Sequence, residues 1–192
     1  MAAFLFHRRA ADAAKAETHL KRTLELAPDA VPVLVSAALF YLSRKDLDEA
    51  DRLLGHAEKT APQNRMVLSA RTAWAVTKSD PARLEATADE LAAAAGTTEL
   101  DLLARAAELY LRAGRLDRAE ACIEKLSASP RGGASEMVEV WLDTLRGAKA
   151  LLEGRPYAAI PLLDRALRRQ PSGLWAAELL ALDFAVLFTA EN

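Results

Sequence analysis

The sequence predicts an all-α protein built from repeated helix pairs, and three observations carry that prediction. Apolar residues recur at helical spacing, as in Leu34, Ala37, Ala38 and Tyr41 and then Ala50, Leu54 and Ala57, while alternating apolar–polar runs of strand length are absent. Glycine and proline number eight each in 192 residues, too few for a turn-rich β protein. Landmarks return at a fixed interval: Pro28 and Pro62, Ala16 and Ala50, and Leu20 and Leu54 each stand 34 residues apart. With 52% hydrophobic and 27% charged residues, the chain has ample material for a core and no compositional sign of disorder.

The first repeat, 1–30, is short at its front. Its second helix, 13–26, sets Ala16, Leu20 and Leu24 on one face and stops at Pro28, but only 2–10 remain for its first helix. That reads as a stunted opening helix or, in the favoured alternative, a start inside a longer array. The second repeat, 31–64, is the clearest. Asp29 is placed as an N-cap, with Pro32 in the first turn, where its missing N–H is not needed. Arg44-Lys45-Asp46 makes the inter-helix turn, and Asp46 followed by Glu49 has the form of a capping box. The third repeat, 65–98, is weak at its front. Leu68, Arg71, Thr72 and Ala75 stand where Leu34, Ala37, Ala38 and Tyr41 stood, so a charge and a hydroxyl replace small residues. Its second helix starts clearly at Asp80-Pro81, carries Leu84, Ala88 and Leu91, and ends at Gly96 as a C-cap.

The fourth repeat, 99–134, recovers the pattern with Leu103, Ala106, Ala107 and Tyr110, a turn at Gly114, and then Ala119, Ile123 and Leu126. A flexible insert, Arg131-Gly132-Gly133-Ala134, follows Pro130; Gly114 and Gly154 stand 40 residues apart, and the extra length lies in this loop and the start of the following helix. The fifth repeat, 135–173, opens with Ser135 as N-cap and sets Trp141, Leu145, Ala148 and Leu152 on one side, with Gly147 at a helix crossing. Gly154 makes its turn, and Pro156 starts a helix bearing Ala159, Leu163 and Ala166. Arg165, Arg168 and Arg169 read as solvated cations matched to the dipole at that helix's end. The terminal helix, 174–190, has two apolar stripes. Trp175, Leu179, Leu182 and Val186 form one, and Leu180, Phe184, Leu187 and Phe188 the other. A solenoid's capping helix needs a polar outer face. The expectation is therefore cover by a second copy, a partner or further repeats, with Trp175, Leu180, Phe184, Leu187 and Phe188 as the candidate self-association or partner face.

The 34-residue period, the small residues Ala38, Ala50, Ala57 and Ala159 at helix crossings, and the turn Leu111-Arg112-Ala113-Gly114-Arg115-Leu116 resemble the tetratricopeptide repeat. The resemblance implies one solenoid domain over 1–192, a right-handed α–α superhelix of about five helix-turn-helix repeats plus a C-terminal helix. It also implies a concave groove lined by the first helix of each pair. In the second repeat that gives Pro32, Val35, Leu39 and Leu42; in the third, Met66, Ser69, Ala73 and Val76. The fourth gives Asp101, Ala104, Glu108 and Leu111, and the fifth Trp141, Thr144, Ala148 and Leu151. An apolar groove with a few acidic groups suits an amphipathic helix or an extended apolar peptide. Some members of the family grip a terminal carboxylate with lysines, asparagines and an arginine; Ser36, Met66, Ser69 and Ala70 stand in that region here, so this clamp is not expected.

Other function classes find little support. The net charge is -2, with 25 basic and 27 acidic side chains interspersed, which argues against a nucleic-acid partner. His7, His19 and His56 lie on different repeats without metal-ligand spacing, and the single Cys122 has no evident base beside it. No phosphate loop, dinucleotide fingerprint or serine-nucleophile motif is present, so neither an enzyme nor a cofactor is expected. The start lacks the order of charge and apolar run that a signal peptide has. The long apolar run 174–190 contains Glu178 and Asp183 and is too short to span a bilayer comfortably, so membrane insertion is not expected. A cytoplasmic location follows, or a periplasmic one if a targeting segment has been removed. The favoured function is a protein-interaction adaptor, in a bacterial envelope or assembly system. A self-associating scaffold using the terminal helix, and a regulatory arm of a larger enzyme or sensor, are the alternatives.

Overall fold

Left-handed residues mark the turns between helices. The structure, a computed structural model, describes residues 10–95, 99–129, 135–172 and 175–179, with 10–14 as backbone only. Among the described residues, positive φ occurs at Lys45 (62°), Ser79 (54°), Gly114 (73°) and Gly154 (70°), 34, 35 and 40 residues apart. Glycine takes this conformation without steric penalty, whereas Lys45 and Ser79 adopt it against their own Cβ. Three of these turns share one bond pattern. Asp46 N donates to Tyr41 O (3.0 Å), Arg115 N to Tyr110 O (2.8 Å) and Arg155 N to Ala150 O (2.8 Å). Inside each, the left-handed residue donates to a carbonyl three residues back, as Gly114 N does to Leu111 O at 3.0 Å. These paired bonds satisfy the last carbonyls of one helix while the chain reverses into the next.

The chain divides into two compact units, Met1–Lys78 and Ser79–Asn192. The first contains α1 (Ala10–Leu26), α2 (Val31–Ser43), α3 (Leu47–Thr60) and α4 (Arg65–Lys78). Here α2 packs against α1, α3 and α4, and α3 against α4. The expected stripes are buried: Leu34, Ala37, Ala38 and Tyr41 on α2, and Ala50, Leu54 and Ala57 on α3. Asp46 caps α3, its carboxylate accepting from Glu49 N at 3.2 Å. The reciprocal half of the capping box is missing, because Glu49 turns its carboxylate to Arg52 (2.6 and 2.8 Å). Asp29 does not cap α2. Ala30 holds that position without a side-chain bond, and Asp29 pairs with His56 of α3 at 2.8 Å.

The weak stripe of the third repeat is explained in α4. Thr72 is buried with its hydroxyl donating to Leu68 O (2.9 Å), so its polarity is satisfied inside the helix. The aromatic missing at Ala75 stands one residue earlier: Trp74 is fully buried, its indole N–H donating to Leu47 O at 3.1 Å. Arg71, with a side chain only 11% exposed, donates twice to Glu58 (2.5 and 2.6 Å) and once to Asp51, and lies over the Trp74 ring at 5.1 Å. Burial opposes its charge, but the bonds to Glu58 and Asp51 outweigh burial and hold the guanidinium above its ordinary pKa.

The second unit contains α5 (Pro81–Ala95), α6 (Leu100–Arg112), α7 (Leu116–Ala128), α8 (Glu136–Leu152) and α9 (Pro156–Arg169), and residues 175–179 are helical as well. Here α6 packs against α5, α7 and α8, and α8 against α7 and α9. Asp80 caps α5, accepting from Ala82 N (3.0 Å) and Arg83 N (3.3 Å). Ser135 stands at the head of α8 but makes no side-chain cap bond; only its carbonyl is used, by Val138 N and Glu139 N. Gly147 is where the crossing needs it: an added Cβ would lie 2.7 Å from Leu163 of α9. Leu152, expected on the buried stripe, is instead exposed at the end of α8. Ala176 and Leu179 pack on the cluster of Val140, Ala159, Leu163 and Ala166, which seats the start of the last helix on α8 and α9. The expectations for 2–9, Gly96, the insert 131–134 and 180–190 lie outside the described residues. Among the described residues no strand is present, and no helix is long and apolar enough to cross a membrane.

Candidate functional site

In the second unit one wall of α6 faces one wall of α8. Asp101, Ala104, Arg105 and Glu108 follow each other at helical spacing along α6, and Val140, Trp141, Thr144 and Leu145 do so along α8. Ala166, Gln170, Ser172, Trp175 and Ala176 close the far side, and together these residues line a cleft of about 550 Å³. The volume lies in the range of ordinary ligand sites, and the lining has the make-up of one: mostly apolar, with a few polar groups. Both tryptophans are half-buried, so their rings are held yet still reachable.

The polar groups of the cleft differ in what they have left to offer. Thr144 donates its hydroxyl to Val140 O at 2.8 Å. Glu108 accepts from Arg112 Nε at 2.9 Å, and the same guanidinium lies over the Trp175 ring at 5.2 Å, so Arg112 joins the end of α6 to the last helix. Arg105 is exposed and has no charged partner among the described residues.

Behind the cleft the two helices of the fifth repeat are locked. The Asp143 side chain is 2% exposed, and it accepts from Arg165 Nε (2.6 Å) and Nη2 (2.5 Å), with Arg169 at 3.5 Å. Arg169 also stands 3.7 Å from Glu139. Arg165 and Arg169 are therefore not simply solvated, as their place near a helix end suggested; the hydrogen bonds that Arg165 donates to Asp143 raise its pKa. On the opposite flank Tyr110 donates to Asp89 at 2.5 Å, with Arg118 bound to the same carboxylate at 2.7 Å. Burial first, and the Asp89 carboxylate second, push the Tyr110 phenol up to about 12.

The residues expected to form a groove are divided by the structure. Asp101, Ala104, Glu108, Trp141 and Thr144 come together in the cleft. Leu111 and Ala148 are buried in the second unit's core, and Leu151 packs against its hydrophobic cluster. In the first unit Val35 and Leu42 are buried, whereas Leu39 (44% exposed), Met66 (45%), Ser69 and Ala73 reach the surface and Val76 is half-buried. The first helix of a pair has neighbours on several sides, which leaves a narrower free strip than one face of an isolated helix. Trp175, read as part of a self-association face, forms a wall of the cleft; Leu180, Phe184, Leu187 and Phe188 lie outside the described residues. Arg105, Gln170 and Ser172 were not singled out in the sequence. For Arg105 the signal was present, since it sits between Ala104 and Glu108 on the same strip.

Among the described residues no group of three or more His, Cys, Asp and Glu could hold a metal ion. Cys122 is buried, and burial pushes its thiol above the ordinary range, away from nucleophilic use.

No protein-family model and no curated protein sequence matches the chain. Solved structures do. A tetratricopeptide repeat protein from Parabacteroides merdae matches with a TM-score of 0.62 at 17% identity, over 91% of this chain and 65% of that one. A thermophilic tetratricopeptide repeat protein from Thermus thermophilus matches with a TM-score of 0.63 at 19% identity, over 91% of this chain and 92% of that one. The chain thus spans about two thirds of the first protein's length. With the recurring helix pairs and left-handed turns, these likenesses give the chain the α–α repeat fold of the tetratricopeptide repeat proteins.

Proposed function

We propose that the protein is an interaction module that takes a peptide segment of a partner protein into the cleft between α6, α8 and α9. The cleft carries this reading: a preformed concavity of about 550 Å³, with two reachable indoles over a small-residue floor of Ala104, Ala166 and Ala176. Tryptophan contributes large, rigid contact area at little conformational cost, which is why it dominates binding energy where partners meet. The exposed Leu39 and Met66 on α2 and α4 add an apolar surface of the same kind in the first unit.

A photo-crosslinking amino acid placed at Trp141 tests the proposal, with the exposed Glu124 of α7 as control. Activated in the native cell, position 141 should give a discrete adduct with another protein that position 124 does not. Equal adducts at both positions, or none at 141, would reject the cleft as the contact. Adducts between two copies of the chain would replace this reading with self-association.

A further inference from the structure

We propose that the segment taken up by the cleft carries an aspartate or glutamate beside its apolar anchor, and that Arg105 receives that carboxylate. The inference rests on the cleft being a peptide site and adds the chemistry of its occupant. It follows from which polar groups are already used. Glu108 is neutralised by Arg112, whose guanidinium also covers Trp175. The Thr144 hydroxyl is committed to Val140 O, and Asp101 already has an interaction of its own. What remains is the Arg105 guanidinium, which can only donate, beside the Gln170 amide and the Ser172 hydroxyl, which can donate or accept; none has a side-chain partner among the described residues.

A guanidinium left without a partner at the edge of an apolar cleft is complementary to an anion. The planar guanidinium matches a carboxylate with two parallel hydrogen bonds, a geometry that an amide or an ammonium on the partner does not offer. A neutral apolar segment would cover Arg105 without giving it a partner, and a lysine would be repelled. A side-chain carboxylate at the end of one or two methylenes reaches Arg105 while the neighbouring residue keeps its apolar side chain against the α8 wall.

The test uses the intact chain and an array of amidated decapeptides with a central Leu or Phe, whose neighbour is Glu, Gln or Lys, each paired with the same peptide ending in a free carboxylate. The wild type should retain Glu peptides about tenfold better than their Gln counterparts, a preference that fades as salt is raised. Arg105→Gln should level the two, and Arg105→Glu should turn the preference to Lys, with the helical circular dichroism unchanged. Arg105 is exposed, so neither substitution disturbs the core. Equal retention of Glu and Gln peptides, lost in Trp141→Ala, would overturn the acidic partner while leaving the cleft as a peptide site. Preference for free over amidated chain ends would overturn the side-chain assignment in favour of a terminal carboxylate. Retention of no peptide would reject this inference and the peptide site together.

Discussion

The two units solve the burial of a charge in opposite ways. In the first, the cation is inside: Arg71 is 11% exposed, while its partners Asp51 and Glu58 keep contact with water. In the second, the anion is inside: Asp143 is almost fully enclosed, while Arg165 is half exposed. Both arrangements fasten one helix to another, α4 to α3 and α9 to α8. The difference decides which partner is dangerous to remove. Deleting the outer partner strands a buried charge, whereas deleting the inner one leaves groups that water can solvate.

The largest effect is therefore expected from Arg165→Ala combined with Arg169→Ala, which leaves Asp143 bare and should cost about 3–5 kcal/mol in urea unfolding. Asp143→Leu should cost far less, since its arginines reach solvent; equal costs would break the comparison. In the first unit Asp51→Ala with Glu58→Ala should cost about 2 kcal/mol, less because Arg71 keeps its stacking on Trp74. Arg71→Leu should fall below that, and a larger loss would mean that the arginine's packing outweighs its pairing.

The glycines sharpen the same contrast. Gly147→Ala drives a methyl into Leu163, which is fully buried and has nowhere to go, so a loss of about 1–2 kcal/mol is expected. Gly55→Ala in α3 meets nothing within 4 Å and should gain up to about 1 kcal/mol from helix propensity. Paired thermal melts of the two variants test the opposite signs.

The smallest effect at neutral pH is expected from Tyr110→Phe, about 1 kcal/mol for one hydrogen bond. Its signature is alkaline. The folded phenol's pKa is raised from 10.0 to about 12, so the folded state holds a proton that the unfolded state releases. That contribution is complete below pH 10 and is lost as pH rises from 10 toward 12, at a limiting slope of about 1.4 kcal/mol per pH unit. Stability measured across this window should fall less steeply in Tyr110→Phe than in the wild type.

Much of this was legible in the sequence. The stripes on α2, α3, α6 and α7 are buried as their spacing requires, and Gly114, Gly154, Asp46, Asp80 and Gly147 stand where turns, caps and a crossing need them. Part of the cleft was legible too, because the family resemblance puts Asp101, Ala104, Glu108, Trp141 and Thr144 on the groove side of their helices. The remainder depended on residues far apart in the chain. Arg71 reads as a misfit until Asp51 and Glu58, 20 and 13 residues earlier, are brought against it. Asp143 reads as one more surface carboxylate, although Leu142, Thr144 and Leu145 around it hinted at an enclosed helix.

Helices and turns are local objects, set by bonds between a residue and its fourth neighbour and by the few side chains that tolerate a reversal. For that reason the sequence by itself determined that this chain is a succession of helix pairs and where each pair turns. Which strip of a helix stays uncovered depends on how many neighbours it acquires and at what offset. Only the tertiary structure therefore decided that Val35, Leu42 and Ala148 are core, that Trp141 and Trp175 line one cleft, and that Arg105 lines it with no charged partner among the described residues.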